Sequence, residues 1–111
     1  MKIWLKSFPL QQIHIVDGDQ LIADPYTEVI KVEKFLGLRH EITRDKFRFD
    51  ENKGFFCLNV EAARNNGCLA KTKGNVPPPI RQEVLQKLNS YFRPLNMKFF
   101  EQIHRTFDWS N

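Results

Sequence analysis

The pair of cysteines limits the folds open to this chain more than any other feature. Cys57 and Cys68 are the only two it has. Phe55-Phe56-Cys57-Leu58 reads as a short extended piece, and Asn59 to Gly67 is polar and ends in Asn-Asn-Gly, a turn signal. That pattern puts the two cysteines on the two arms of a hairpin and fits a disulfide between them. Closing so short a loop contributes about 3 kcal/mol in the chain-entropy picture. It would also imply an oxidising compartment such as the secretory pathway. Free core thiols and half of a metal site are the alternatives. A zinc site needs four ligands, and His14, His40 and His104 are scattered without ligand spacing.

Lys71, Lys73 and Gly74 follow the second cysteine at once. Glycine lets a backbone approach an anion closely, successive N–H groups can form an anion-holding concavity, and a lysine adds a point charge. The spacing is not a Walker motif. Alone, "KTKGN" reads as a solvated basic loop; a disulfide beside it would pre-organise it for an anion.

The formal net charge of +4 favours anionic partners: nucleic acid, phosphorylated cofactors, sulfated polysaccharides or acidic membranes. Nucleic acid is not expected, because the basic residues do not cluster on one predicted helix and no known motif appears. No apolar run reaches the roughly 20 residues of a membrane span. The opening "MKIWLKSFPLQQ" has no signal-peptide core. A disulfide without a leader leads to the expectation that an N-terminal part of the protein is absent from this chain. With 111 residues, at most one domain is expected. Ten phenylalanines and two tryptophans need burial, within this chain or against the rest of a larger one.

Along the chain, "IHIVDGDQLI" (Ile13 to Ile22) predicts a buried strand closed by Asp-Gly. His14 is read there as a packed strand residue. Asp24-Pro25 is a helix start, Val29, Val32 and Leu36 recur at helical spacing, and Gly37 sits where a C-cap glycine belongs. Phe47 and Phe49 alternate with charged residues as in a short strand, and Asp50 to Gly54 reads as a turn. After the stiff "NVPPPI" a helix is expected from near Pro79, with Ile80, Val84, Leu88, Tyr91 and Phe92 on its apolar face. Arg93-Pro94 is expected to break it, and Leu95, Phe99 and Ile103 give a last helix. Asp17, Asp19, Asp24, Glu28, Glu33 and Glu41 offer carboxylates, but nothing pairs two of them as acid and base. Asp17 and Asp19 lie at the end of the predicted strand, where α/β proteins often place functional groups; turn formation explains them equally well.

Several blocks in order carry a family resemblance: "WLKSFPLQQIHIVDGDQLIADP", "VEKFLGL", "NKGFFCL", "CLAKTKG", "YFRPLNMKFFE" and "RTFDW". From about Trp4 to Trp109 the chain resembles the C-terminal part of heparan sulfate glucosamine 3-O-sulfotransferases. N-deacetylase/N-sulfotransferases look like more distant relatives. The resemblance implies an α/β fold, the C-terminal portion of a P-loop-kinase-like sulfotransferase domain with a central parallel sheet, so that residues 1–111 form part of one domain. It implies a Golgi-lumen enzyme that moves a sulfuryl group from 3′-phosphoadenosine 5′-phosphosulfate to the 3-hydroxyl of glucosamine in heparan sulfate, without a metal.

The resemblance also implies the site. The cysteine hairpin is disulfide-bonded in the family, here Cys57 to Cys68. The aromatic before the first cysteine lies at the nucleotide, which maps to Phe56. The loop after the second cysteine closes over the nucleotide, which maps to Lys73, Gly74, Asn75, Val76 and Pro77. Beyond what the resemblance implies, the basic residues Lys71, Arg64 and Arg81 are expected to help hold the polyanionic acceptor. Asn75 replaces the family arginine and carries neither its charge nor its guanidinium fork; Val76 replaces a histidine. The family's phosphosulfate loop, catalytic glutamate and 3′-phosphate-binding arginine and serine match nothing here, so no catalytic residue is expected and the chain alone is expected to be inactive. The alternative is a non-catalytic module that binds heparan sulfate or another polyanion.

Overall fold

The computed structural model describes residues 1–61, 64–69 and 78–109. The chain forms two compact units, His14–Val76, and Met1–Ile13 with Pro77–Asn111.

In the first unit the buried strand expected at residues 13–16 does not form among the described residues: no strand is assigned there, residues 13–15 are half-buried and Val16 is exposed, although Ile13 and Asp17 have extended backbone. A short helix, α2 (Gly18–Ala23), follows where a turn was expected. The Asp17 carboxylate is the cause. It accepts the N–H groups of Asp19 (3.1 Å) and Gln20 (3.2 Å), which fixes Gly18 as the first helical residue. Asp24 then ends α2 and opens α3 (Pro25–Phe35). Its carboxylate accepts the Thr27 hydroxyl at 2.6 Å and the Thr27 N–H at 3.4 Å, with Pro25 at the first helical position. Gly37, at φ +65°, ends α3. Leu38 N–H reaches Glu33 O (3.0 Å) and Gly37 N–H reaches Lys34 O (3.1 Å), the paired bonds of a Schellman end.

The buried face of α3 differs from expectation. Val29 and Val32 are half-buried and Leu36 is exposed, whereas Pro25, Glu28 and Glu33 are buried. Both carboxylates serve backbone donors. Glu28 accepts Asp17 N–H (3.3 Å) and pairs with Lys31; Glu33 accepts the N–H groups of Glu41 and Ile42, each at 3.1 Å. Burial is tolerated because these bonds satisfy the oxygens.

Two short strands follow, β1 (Phe47–Asp50) and β2 (Phe55–Leu58), antiparallel, with Phe47 opposite Leu58 and Asp50 opposite Phe55. Asp50 builds the expected turn: its Oδ1 accepts Asn52 and Lys53 N–H, and its carbonyl accepts Gly54 N–H at 2.8 Å. This ribbon is the only sheet among the described residues.

In the second unit α1 (Lys2–Leu5) precedes a long helix, α4 (Gln82–Ile103). The expected break at Arg93-Pro94 does not occur; Pro94 sits inside α4. Proline removes one backbone donor, so one carbonyl a turn earlier loses its partner, while the flanking bonds carry the helix through. The start is Gln82 rather than Pro79. His104, at φ +52°, ends it. The chain then returns Phe107 and Trp109 onto Phe99 and Phe100. Phe107 and Trp109 stack at 4.8 Å between centroids, and Phe99 and Trp109 at 5.7 Å. Ile103 and Phe107 are the buried apolar residues among the described residues of this unit. The expected apolar face is uncovered, with Ile80, Val84, Leu88, Tyr91 and Phe92 all exposed.

Candidate functional site

The site is assembled on β2 and the segment that follows it. The disulfide joins Cys57 to Cys68, with Cα atoms 4.5 Å apart. Cys68 does not lie on a second hairpin arm as expected. The hairpin partner of β2 is β1, and Cys68 follows a 3-10 turn, Arg64–Gly67. The bond therefore ties the hairpin to the stem of the next loop. It also spends both thiols, which removes the free-thiol and metal-site alternatives, although Asp50 carries a carboxylate oxygen close to the two sulfurs.

The stem is packed tightly. Asn66 and Gly67 have φ of +53° and +75°. A Cβ on Gly67 would lie 1.8 Å from the Leu58 carbonyl oxygen, so only glycine fits this approach. Two cations of the hairpin reach across to the same stem. Arg48 Nη2 donates to the Asn66 carbonyl at 2.8 Å, and Lys53 Nζ donates to the Leu69 carbonyl at 3.2 Å. At the exit of β2, Asn59 N–H donates to Lys46 O at 2.7 Å and Asn59 Nδ2 to Asp45 O at 2.9 Å.

Phe56 is half-buried and meets the Phe49 ring edge-on at 5.2 Å. It borders an apolar groove of about 360 Å³ that Leu21, Ile22, Pro25, Phe55 and Leu69 also line. That volume falls within the range of small-molecule sites, and its walls suit the flat face of a base better than a charge. A second, polar groove of about 640 Å³ has Lys46 and Arg48 beside Asp45 and Glu61. Its mixed charge does not single out an anion.

Lys71, Lys73, Gly74, Asn75, Val76 and Pro77 lie outside the described residues, as does the Arg64 side chain. Arg81 occupies the N-cap position of α4, in the other unit. Asp17 is a helix cap, the structural one of its two readings. His14 packs against Phe35, ring centres 5.1 Å apart, but not on the expected strand, and its buried Nε2 finds no hydrogen-bond partner among the described residues. Sequence reasoning missed the roles of Arg48, Lys53 and Gly67. Only the glycine left a signal, in Asn-Asn-Gly.

Three carboxylates are held below the usual carboxylate range. Hydrogen bonding does this in each case: from the Thr27 side chain to Asp24, from the Glu41 N–H to Glu33, and from the Thr43 side chain to Asp45. Glu33 and Asp24 are structural by their contacts.

Residues 1–107 match the sulfotransferase domain family, and the chain belongs to that family. Among curated proteins it is 43% identical over 106 residues to heparan sulfate glucosamine 3-O-sulfotransferase 5 of Mus musculus, covering 96% of this chain and 30% of that protein. It is 44% identical over 107 residues to heparan sulfate glucosamine 3-O-sulfotransferase 3B1 of Mus musculus, covering 96% and 27%. The Homo sapiens sulfotransferase 5 is 42% identical over 106 residues, covering 96% and 30%. The resemblance read from the sequence blocks holds. The chain spans under a third of the length of these relatives. No helix among the described residues is long and apolar enough to cross a membrane.

Proposed function

We propose that this chain is the C-terminal part of one heparan sulfate glucosamine 3-O-sulfotransferase domain and supplies one wall of its nucleotide site. The donor is 3′-phosphoadenosine 5′-phosphosulfate, and the acceptor is the 3-hydroxyl of a glucosamine in heparan sulfate. In the reaction the sulfur–oxygen bond to the donor phosphate breaks. A new bond forms to the acceptor oxygen, and the hydroxyl proton passes to a base. None of the residues assigned here is that base, so the chain contributes binding, not the proton transfer.

The observation that carries the reading is the Cys57–Cys68 disulfide, which pins the stem of the lysine loop beside Phe56 and its apolar groove. Phe56 and the groove would take the base of the nucleotide. Lys73 and the backbone of Gly74 to Pro77 would hold its phosphates. Asn75 and Val76 lower the charge of that loop relative to the family pattern, so affinity for the nucleotide is expected to be modest. The disulfide fits an oxidising lumen such as the Golgi.

The rest of the domain is inferred to supply a parallel sheet of the P-loop-kinase kind. Two features favour this. Residues 13–17 begin and end with extended backbone, at Ile13 φ −120°, ψ 115° and Asp17 φ −79°, ψ 111°. Ile22, Leu38 and Tyr91 are each 60% exposed or more, apolar surface that a soluble domain normally covers.

Titration of the chain with the desulfated nucleotide, 3′-phosphoadenosine 5′-phosphate, tests the proposal. Binding that Lys73→Ala weakens supports it. No uptake of nucleotide, with strongly salt-dependent binding of heparan sulfate instead, supports the non-catalytic module.

A further inference from the structure

A disulfide fixes one point of a loop but not its direction, because the chain can still rotate about the linked residue. The stem after β2 has two further attachments, both made by cations of the hairpin. Arg48 stands opposite Cys57 in the ribbon, and its guanidinium holds the Asn66 carbonyl at 2.8 Å, two residues before Cys68. Lys53 leaves the hairpin turn and holds the Leu69 carbonyl at 3.2 Å, one residue after Cys68. Leu69 is the last described residue before residues 70–77.

These donors are themselves held. Asp50 Oδ1 accepts the Lys53 N–H at 3.1 Å, which shapes the turn that presents the lysine. Lys53 Nζ also lies 5.8 Å from the centre of the Phe55 ring. Asp50 Oδ2 stands 4.0 Å from Arg48 Nη1. Three consecutive anchor points, the Asn66 carbonyl, the Cys68 sulfur and the Leu69 carbonyl, define a direction where one cannot.

We infer that Lys53 and Arg48 are positioning residues: by gripping the carbonyls on either side of Cys68, they aim the stem from which the nucleotide-binding loop departs. The inference rests on the nucleotide reading above. Neither side chain is assigned a contact with the nucleotide. They act through the stem, and a charged donor makes each grip stronger than a neutral one would.

The grip has a consequence independent of any ligand. Whatever holds the stem against β2 also raises the effective concentration of one cysteine sulfur near the other. Weakening the grip must therefore make the disulfide easier to reduce.

The test uses the whole chain and two readouts: the equilibrium of Cys57–Cys68 with glutathione, and affinity for 3′-phosphoadenosine 5′-phosphate. Lys53→Met is expected to shift both by about tenfold, towards reduction and weaker binding. Lys53→Arg, which keeps a charged donor, is expected to restore most of each. Arg48→Leu is expected to act in the same direction. If Lys53→Met and Arg48→Leu leave both readouts unchanged while Lys73→Ala weakens binding, the positioning role is overturned and the nucleotide reading stands. If Lys53→Met weakens binding without moving the glutathione equilibrium, the lysine does not act through the stem and the inference also fails. If Lys73→Ala leaves binding intact, the nucleotide reading falls, and the glutathione equilibrium alone decides whether Lys53 grips the stem.

Discussion

Gly67 backs onto Leu58 so closely that a Cβ at position 67 would fall 1.8 Å from the Leu58 carbonyl oxygen. The glycine also has φ +75°, which side chains disfavour. Gly67→Ala therefore meets strain and a clash with backbone, and it must push the stem away from β2. The expected cost is at least about 2 kcal/mol. Denaturant unfolding monitored by tryptophan fluorescence and far-UV circular dichroism checks it.

The covalent link beside that contact has its own expected effect. Cys57→Ser with Cys68→Ser leaves the hairpin bonds in place but frees the stem. Unfolding of the first unit should become easier by about 3 kcal/mol, most of it through the unfolded chain. Amide exchange should quicken in β2 and in the 3-10 turn at Arg64–Gly67.

Glu33 predicts a response to acid. Its carboxylate accepts two backbone N–H groups from Glu41 and Ile42 and faces His40 Nδ1 at 3.0 Å. The Glu41 N–H above all holds the carboxyl below its usual range, against the opposing effect of burial. A depressed folded-state value means that the contribution is complete above the unfolded value, about pH 4.3. It is lost as pH falls through the lower folded value. Protection of the Glu41 and Ile42 amides should therefore persist at pH 5 and fade only as pH falls below the ordinary glutamate value, about 4.3. In Glu33→Gln this pH dependence should disappear, because the amide does not titrate.

Pro94 leads to a stabilising substitution. Inside α4 it withholds one N–H from the helix ladder. Pro94→Ala restores it and should raise the stability of the second unit, by up to about 3 kcal/mol. Thermal unfolding followed at the helix signal reads this. A lower midpoint would mean that a kink at Pro94 is needed for packing of the aromatic cluster.

What could be read in advance was the punctuation set by local chemistry. Asp24-Pro25 and Gly37 bound α3 because caps and a left-handed glycine act on their own neighbours. Asp50 to Gly54 is a turn because its aspartate and glycine make it one whatever surrounds them. The family was legible because its blocks recur in order. The errors came where a run had two readings. Ile-His-Ile-Val bounded by Asp-Gly read as a strand and its turn, yet Asp17 followed three residues later by Gln20 is a helix-start pattern, and it prevailed. The burial of Glu28 and Glu33 was invisible because it depends on backbone donors many residues away, at Asp17 and at Glu41. The hairpin partner of Cys57 was misassigned for the same reason: two turns flank β2, and the sequence does not rank them. Arg48 and Lys53 left no pattern, since a grip on a carbonyl asks nothing of the residue that offers it.

The central claim is the proposal that Phe56 and Lys73, which follows the disulfide Cys57–Cys68 in the chain, bind an adenosine bisphosphate. Calorimetric titration of the chain with 3′-phosphoadenosine 5′-phosphate, alongside Lys73→Ala, tests it most directly. The account predicts saturable binding by the parent and a loss of affinity of about tenfold or more in Lys73→Ala, the scale of one hydrogen bond to a charged group. Equal affinity in the two proteins, or no uptake of the nucleotide by the folded and oxidised parent, would contradict it.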